Sequence, residues 1–247
     1  MRYFIELAYN GKAYHGWQNQ PNAISVQEVL EDALSKLLQS PIDIVGAGRT
    51  DTGVHALQMF AHFDYDHELD SAHLIYKLNA FLPKDIVVYN LLAVKNEAHA
   101  RFDAVSRTYI YRISTKKNPF TVNQAYSFKQ DLDVDKMNEA AKILFNYKNF
   151  KCFSRSNTDV KTYNCEIKDA KWTAENDEIV FEITADRFLR NMVRAIVGTF
   201  IEIGQGKMEV DKLHHIINSE DRSEAGASAP AHGLYLKNIE YPKDIFN

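Results

Sequence analysis

The chain is poor in cysteine. Cys152 and Cys165 are the only two in 247 residues. Two isolated cysteines make neither a disulfide scaffold nor a zinc site, and a reduced, cytoplasmic setting is the expectation. Long apolar runs are also lacking: no stretch reaches the roughly 18 residues of a membrane-spanning helix, so no membrane association is expected. The start, Met1-Arg2-Tyr3-Phe4-Ile5-Glu6, has no apolar signal-peptide segment and places an acid at its sixth residue. An excess of positive charge is missing too. Lys and Arg number 29 against 33 Asp and Glu, a formal charge of −4. That balance argues against a polyanion bound over the whole surface, but leaves room for one basic groove.

What is present is ordinary for a soluble globular protein: 45% hydrophobic and 25% charged residues. At roughly 150 residues per domain the length suggests one large domain or two fused halves. A chain of this size buries about 70–75% of its unfolded surface and needs no metal or disulfide to fold.

Periodicity divides the chain into two similar series. Residues 3–8 read as a strand ended by Asn10-Gly11. Ser25 and Glu28 form a capping box, after which Val26, Val29, Leu30, Ala33, Leu34, Leu37 and Leu38 recur at helical spacing. Ser40-Pro41 stops that helix. A short buried strand over 42–45, a half-exposed strand over 57–65, a helix over 72–80 and a strand over 86–94 complete the order βαββαβ. The second series has a strand over 107–114 and a helix over 135–146 with Met137, Ala140, Ala141, Leu144 and Phe145 on one face. A hairpin over 162–173 and 178–185, helices over 188–203 and 210–218, and a strand over 234–240 follow. The expected fold is α+β: two ferredoxin-like halves, residues 1–100 and 101–247, joined through a mostly antiparallel sheet with helices on one side and one shared, uncovered face.

The most unusual stretch is Gly46-Ala47-Gly48-Arg49-Thr50-Asp51-Thr52-Gly53-Val54-His55. Glycine permits positive φ and close approach of another chain, which suits a strand-end loop that offers a side chain to a ligand. The dinucleotide fingerprint fails, because Asp51 stands where its third glycine belongs, and the Gly-Lys-Ser/Thr of a P-loop is absent. Asp51-Thr52-Gly53 matches the short aspartic-protease signature, but such a site needs two carboxylates sharing a proton and the chain has no second copy. A metal site from Asp51 and His55 lacks a third ligand. Taken alone, the loop leaves open that Asp51 only caps a turn or pairs with an arginine. Carboxylates are ionised at neutral pH, a neighbouring guanidinium favours that form, and an ionised carboxylate in an accessible loop is a ready nucleophile.

The loop closely resembles the signature of the tRNA pseudouridine synthase A family. Other segments agree: Tyr9-Asn10-Gly11 with Gly16-Trp17-Gln18, His99-Ala100-Arg101-Phe102 before Arg107-Thr108-Tyr109-Ile110-Tyr111, Phe188 to Arg194 with Ile196-Val197-Gly198, and Ala229 to Leu236. Five motifs in order span residues 9 to 236. Asn10 stands where Asp is common and Thr52 where Ala is common. The resemblance implies a cofactor-free, metal-free isomerisation of uridine to pseudouridine at positions 38 to 40 of the tRNA anticodon stem-loop, by a homodimer acting on a flipped base. It implies Asp51 as nucleophile and Arg194 as the arginine paired with it. Tyr109 would stack on the target base, Arg49 would hold the RNA backbone, and Arg190 would meet a phosphate. Helical spacing puts Arg190 and Arg194 on one face. A non-catalytic RNA-binding module with RRM-like sheets is the alternative, although residues 107–113 do not match the RRM strand motif.

Charge is segregated along the chain. Arg101, Arg107, Arg112, Lys116 and Lys117 outnumber Asp103, residues 187–194 carry Arg187, Arg190 and Arg194 without an acid, and residues 148–171 are also net basic. Acids gather at Asp64, Asp66, Glu68 and Asp70 and again at Glu175, Asp177, Glu178 and Glu182. The basic segments include those that carry Tyr109 and Arg194, so RNA binding is expected to weaken steeply with salt.

Overall fold

The computed structural model describes residues 1–155 and 160–246. Part of the basic stretch 148–171 therefore lies outside the described residues. Within them the elements run β1 (Arg2–Tyr9), α1 (Val26–Leu38), β2 (Val45–Gly46), β3 (His55–Asp64), α2 (Ser71–Phe81), β4 (Ile86–Val94), β5 (Ser106–Ser114), β6 (Tyr126–Ser127), α3 (Val134–Ile143), β7 (Ile167–Glu175), β8 (Glu178–Ala185), α4 (Met192–Gly204), α5 (Lys212–Ser219) and β9 (Leu234–Glu240). The fold is mixed α and β with mostly antiparallel pairing; β5 and β6 are parallel. The chain forms two compact units, one of Met1–Val105 with Leu236–Asn247 and one of Ser106–Tyr235.

In the first unit the strand order is β4-β1-β3-β9, with β2 on β3. Ile5 pairs with Ala61 on one side and Leu91 on the other, and Phe4, Ile5, Leu7, Met59 and Ala61 are wholly buried. Ser25 caps α1 by accepting the Glu28 N–H at 3.1 Å, and Val26, Leu30, Ala33 and Leu34 form its buried stripe. The helix ends at Gln39, whose φ of 52° is left-handed, just before Pro41. Asp70 caps α2 through the His73 N–H.

In the second unit the order is β5-β8-β7. Tyr111 pairs with Phe181, and Phe181 with Trp172. The Phe181 and Trp172 rings stack at 4.7 Å, and Phe200 of α4 meets Phe181 edge-on at 5.6 Å. Asn176, at φ 54°, turns the β7–β8 hairpin. Helix α4 is buried almost all round, as expected of a helix covered on several sides.

Several expected elements differ. Residues 42–44 are not a strand, although Ile42 and Ile44 are buried. Side chains of α1 meet their backbone instead: Ser35 Oγ accepts the Ile42 N–H, Glu31 accepts the Ile44 N–H and Gln27 donates to the Ile44 carbonyl. Strand β3 is mostly buried rather than half exposed. Helix α3 stops at Ile143 and tightens into a 3-10 turn, Leu144–Asn146, which leaves Phe145 exposed. Strand β7 begins at Ile167, not at 162.

Candidate active site

The loop between β2 and β3 is fixed from several directions. The Asp51 carbonyl accepts the Val54 N–H at 3.1 Å, closing a tight turn. Gly53 sits in it at φ 78°, a conformation that penalises any side chain. The segment after β1 wraps this turn. Trp17 N–H donates to the Thr50 carbonyl at 3.3 Å and Gly53 N–H donates to the Tyr14 carbonyl at 3.4 Å. Gly16 lies so close that a Cβ there would meet the Thr50 oxygen at 2.4 Å. The Tyr9 and Thr50 hydroxyls are 2.8 Å apart and buried. His55 Nδ1 accepts the Gly11 N–H at 3.0 Å. Tyr14 donates its phenol to Asp85 at 2.6 Å, and burial, then Asp85, raise its pKa, so it stays a donor at neutral pH.

Thr50 and His55 therefore point inward while Arg49 and Thr52 are exposed and Asp51 is half-buried. A half-buried carboxylate between an exposed arginine and a glycine turn is reachable from solvent yet carried on a braced backbone. Such bracing is what a group that must meet a substrate atom within a few tenths of an ångström requires.

The second unit carries the remaining expected residues. Tyr109 lies on β5 opposite Ile183 of β8, half-buried. Its ring meets Phe188 edge-on at 5.1 Å. Arg194 is in the first turn of α4 and half-buried; its Nε donates to the Ala229 carbonyl at 2.7 Å, and the Ala229 N–H returns to the Arg194 carbonyl at 2.9 Å. The segment carrying Ala229 is itself tied to α4, since Thr199 Oγ1 accepts the Gly226 N–H at 2.9 Å. The Tyr111 phenol donates to the Pro230 carbonyl at 2.9 Å.

Arg190 departs from expectation. It does not share a helix face with Arg194, because α4 starts only at Met192 and Asn191 adopts a left-handed φ of 68°. Asn191 donates to Ser228 Oγ at 2.7 Å and buried Leu189 precedes the turn, so the chain bends before the helix. Arg190 is exposed, and its carbonyl accepts the Arg155 N–H at 3.0 Å. Of the residues that brace the loop, Tyr9, Trp17 and Thr50 fall within the sequence motifs, but Tyr14 and Asp85 carry no sequence signal, because single hydroxyl and carboxylate partners far apart in the chain leave no periodic pattern. Among the described residues no three His, Cys, Asp or Glu side chains gather in a way that could hold a metal ion, and no helix is long and apolar enough to cross a membrane.

Comparison with known proteins shows the family. Residues 7–103 and 140–242 match the model of a family described as tRNA pseudouridine synthase. The matched stretches contain Arg49, Asp51, Arg190 and Arg194; Tyr109 lies between them. The chain is 54% identical over 246 residues to a Parabacteroides distasonis protein named tRNA pseudouridine synthase A, covering 99% of this chain and 98% of that one. It is 55% identical over 247 residues to a protein of the same name from Bacteroides fragilis, with the same coverage. A Thermoanaerobacter pseudethanolicus protein of that name is 39% identical over 239 residues, covering 96% and 98%. Matches of this extent and identity place the chain in the tRNA pseudouridine synthase family.

Proposed function

We propose that the chain isomerises uridine to pseudouridine in the anticodon stem-loop of tRNA, at positions 38 to 40, without a cofactor. The observation that carries the reading is full-length identity above half to proteins named tRNA pseudouridine synthase A, joined to a braced loop that presents a half-buried carboxylate. Asp51 is the nucleophile. The C1′–N1 bond of the nucleotide breaks, the uracil rotates, and a C1′–C5 bond forms; C5 loses a proton and N1 gains one, so composition is unchanged.

The remaining roles belong to the same reading. Tyr109 stacks on the flipped uracil, which offsets part of the few kcal/mol of extrusion with about 1–3 kcal/mol of stacking. Arg194 pairs with the nucleophile, Arg49 holds the RNA backbone, and Arg190 meets a phosphate. The two halves, 1–100 and 101–247, are each ferredoxin-like, and the enzyme works in the cytoplasm as a homodimer. The test is to incubate the protein with unmodified tRNA transcripts and map pseudouridine by base-specific chemical adducts, then repeat with Asp51→Asn. Loss of product in the variant is expected. Product at the wild-type rate would remove Asp51 as nucleophile.

A further inference from the structure

The turn at 99–103 in the first unit is held by side chains to an unusual degree. His62 Nδ1 accepts the Ala100 N–H at 3.1 Å. His99 Nδ1 accepts the N–H of Arg101 at 3.1 Å and of Phe102 at 3.4 Å. The Asp103 carboxylate accepts the His99 N–H at 2.7 Å, and the Asp103 N–H returns to the His99 carbonyl at 3.1 Å. Arg2 holds the approach by donating to the Ala98 carbonyl at 2.9 Å. Both imidazoles act as acceptors, consistent with burial pushing His62 down to about 4 and His99 below its ordinary value.

The side chains at the apex point the other way. Phe102 is 73% exposed, and Arg101 is exposed with its guanidinium 5.7 Å from the Phe102 ring centre. One side of the ring leans on His99, ring centres 4.2 Å apart and planes tilted by 34°. A rigid backbone thus carries an outward ring beside a cation. The ring's neighbours in the turn are imidazole and charge, which suits a planar, anionic ligand better than an apolar protein surface. An unstacked nucleobase with its phosphate has that chemistry: the base needs a π-face and the phosphate a cation. Pre-ordering the turn spares the cost of ordering it on binding.

We propose that the Arg101–Phe102 tip is a second RNA contact, separate from the Asp51 loop, in which Phe102 stacks on an unpaired base of the tRNA substrate and Arg101 meets that nucleotide's phosphate. The proposal rests on the reading of the chain as a tRNA pseudouridine synthase. The tip positions RNA and takes no part in bond rearrangement.

The test compares wild type with Phe102→Ala, Phe102→Tyr and Arg101→Gln, all checked for wild-type melting. Affinity for an unmodified tRNA transcript is measured by filter binding across a salt series, and pseudouridine formation gives kcat and KM. Phe102→Ala should weaken binding and raise KM about five- to 150-fold with kcat unchanged, and Phe102→Tyr should restore both. Arg101→Gln should lower the slope of log affinity against log salt by about 0.7–0.9. Unchanged affinity in Phe102→Ala overturns the proposal, as does a fall in kcat at constant KM. A changed oligomeric state by light scattering, with tRNA affinity following it, would assign the tip to a protein partner and also overturn it. If wild type binds tRNA but makes no pseudouridine, the functional reading fails while the binding measurements still decide the tip.

Discussion

The phenol of Tyr9 and the hydroxyl of Thr50 lie 2.8 Å apart in the protein interior, one residue before Asp51. Tyr9 ends β1 and Thr50 stands in the loop before β3, so the pair ties the candidate nucleophile's backbone to the sheet. Removing one hydroxyl takes a buried hydrogen bond from the other, at a cost of about 0.5–1.5 kcal/mol. Tyr9→Phe and Thr50→Val are each expected to lose that much stability by denaturant unfolding and to lower kcat of pseudouridine formation more than they raise KM. Thr50→Ser, which keeps the hydroxyl, should retain most of both. Stability loss with unchanged kcat would make the pair purely structural.

The strand edges invite a second prediction. Asn79 of α2 donates to the Val88 carbonyl and accepts the Val88 N–H, both at 2.8 Å. Asn138 of α3 does the same at Trp172 of β7, at 3.1 and 2.9 Å. In each unit a helix carboxamide stands in for a neighbouring strand and occupies the backbone groups that another chain could pair with. Asn79→Ala and Asn138→Ala should each cost about 1–3 kcal/mol and raise light scattering on warming. Wild-type stability in both variants would show that solvent satisfies these groups equally well.

His62 gives a pH dependence with a defined sign. Burial lowers its pKa from 6.5 to about 4 in the folded chain; Arg2 and His99 push the same way, Asp64 and Asp103 oppose them. The unfolded chain therefore binds more protons between those values, and stability must rise with pH there. Its contribution is full above pH 6.5, is lost as pH falls toward 4, and is bounded at about 3 kcal/mol. His62→Gln can still accept the Ala100 N–H but cannot titrate. Urea unfolding at several pH values should show a flatter stability profile between 4 and 6.5 in that variant. An equal slope in both proteins would assign the dependence to other groups.

Regular elements were legible in the sequence because each has a period. Strands β4 and β9 span the residues expected of them, 86–94 and 234–240, and the Ser25 cap of α1 is visible as a motif. What escaped has no period. Helical spacing carried the reading of α4 back to Phe188, but a left-handed Asn191 overrides it; asparagine tolerates that conformation better than most residues. The 42–44 segment has strand composition, yet side chains of α1 take its backbone partners. Asp51 stands out through its glycines and its flanking arginine, whereas Tyr14 and Asp85 are visible only through a contact between distant residues.

The bend at Asn191 gives the two arginines of that motif different surroundings. Arg190 is exposed in the turn, where a charge acts through solvent and is screened by salt. Arg194 is half-buried, with Nε committed to the Ala229 carbonyl at 2.7 Å, so the guanidinium plane is oriented by a fixed contact. Arg190→Gln should therefore raise KM for tRNA, lower the salt slope by about 0.7–0.9, and leave kcat near wild type. Arg194→Gln should lower kcat at saturating tRNA with little change in salt slope. Arg194→Lys should fail to rescue it, because an ammonium cannot hold the Ala229 contact and present a planar donor pair together. Single-turnover rates with saturating enzyme separate these outcomes. Equal effects of both substitutions on KM alone would make Arg194 a phosphate contact instead.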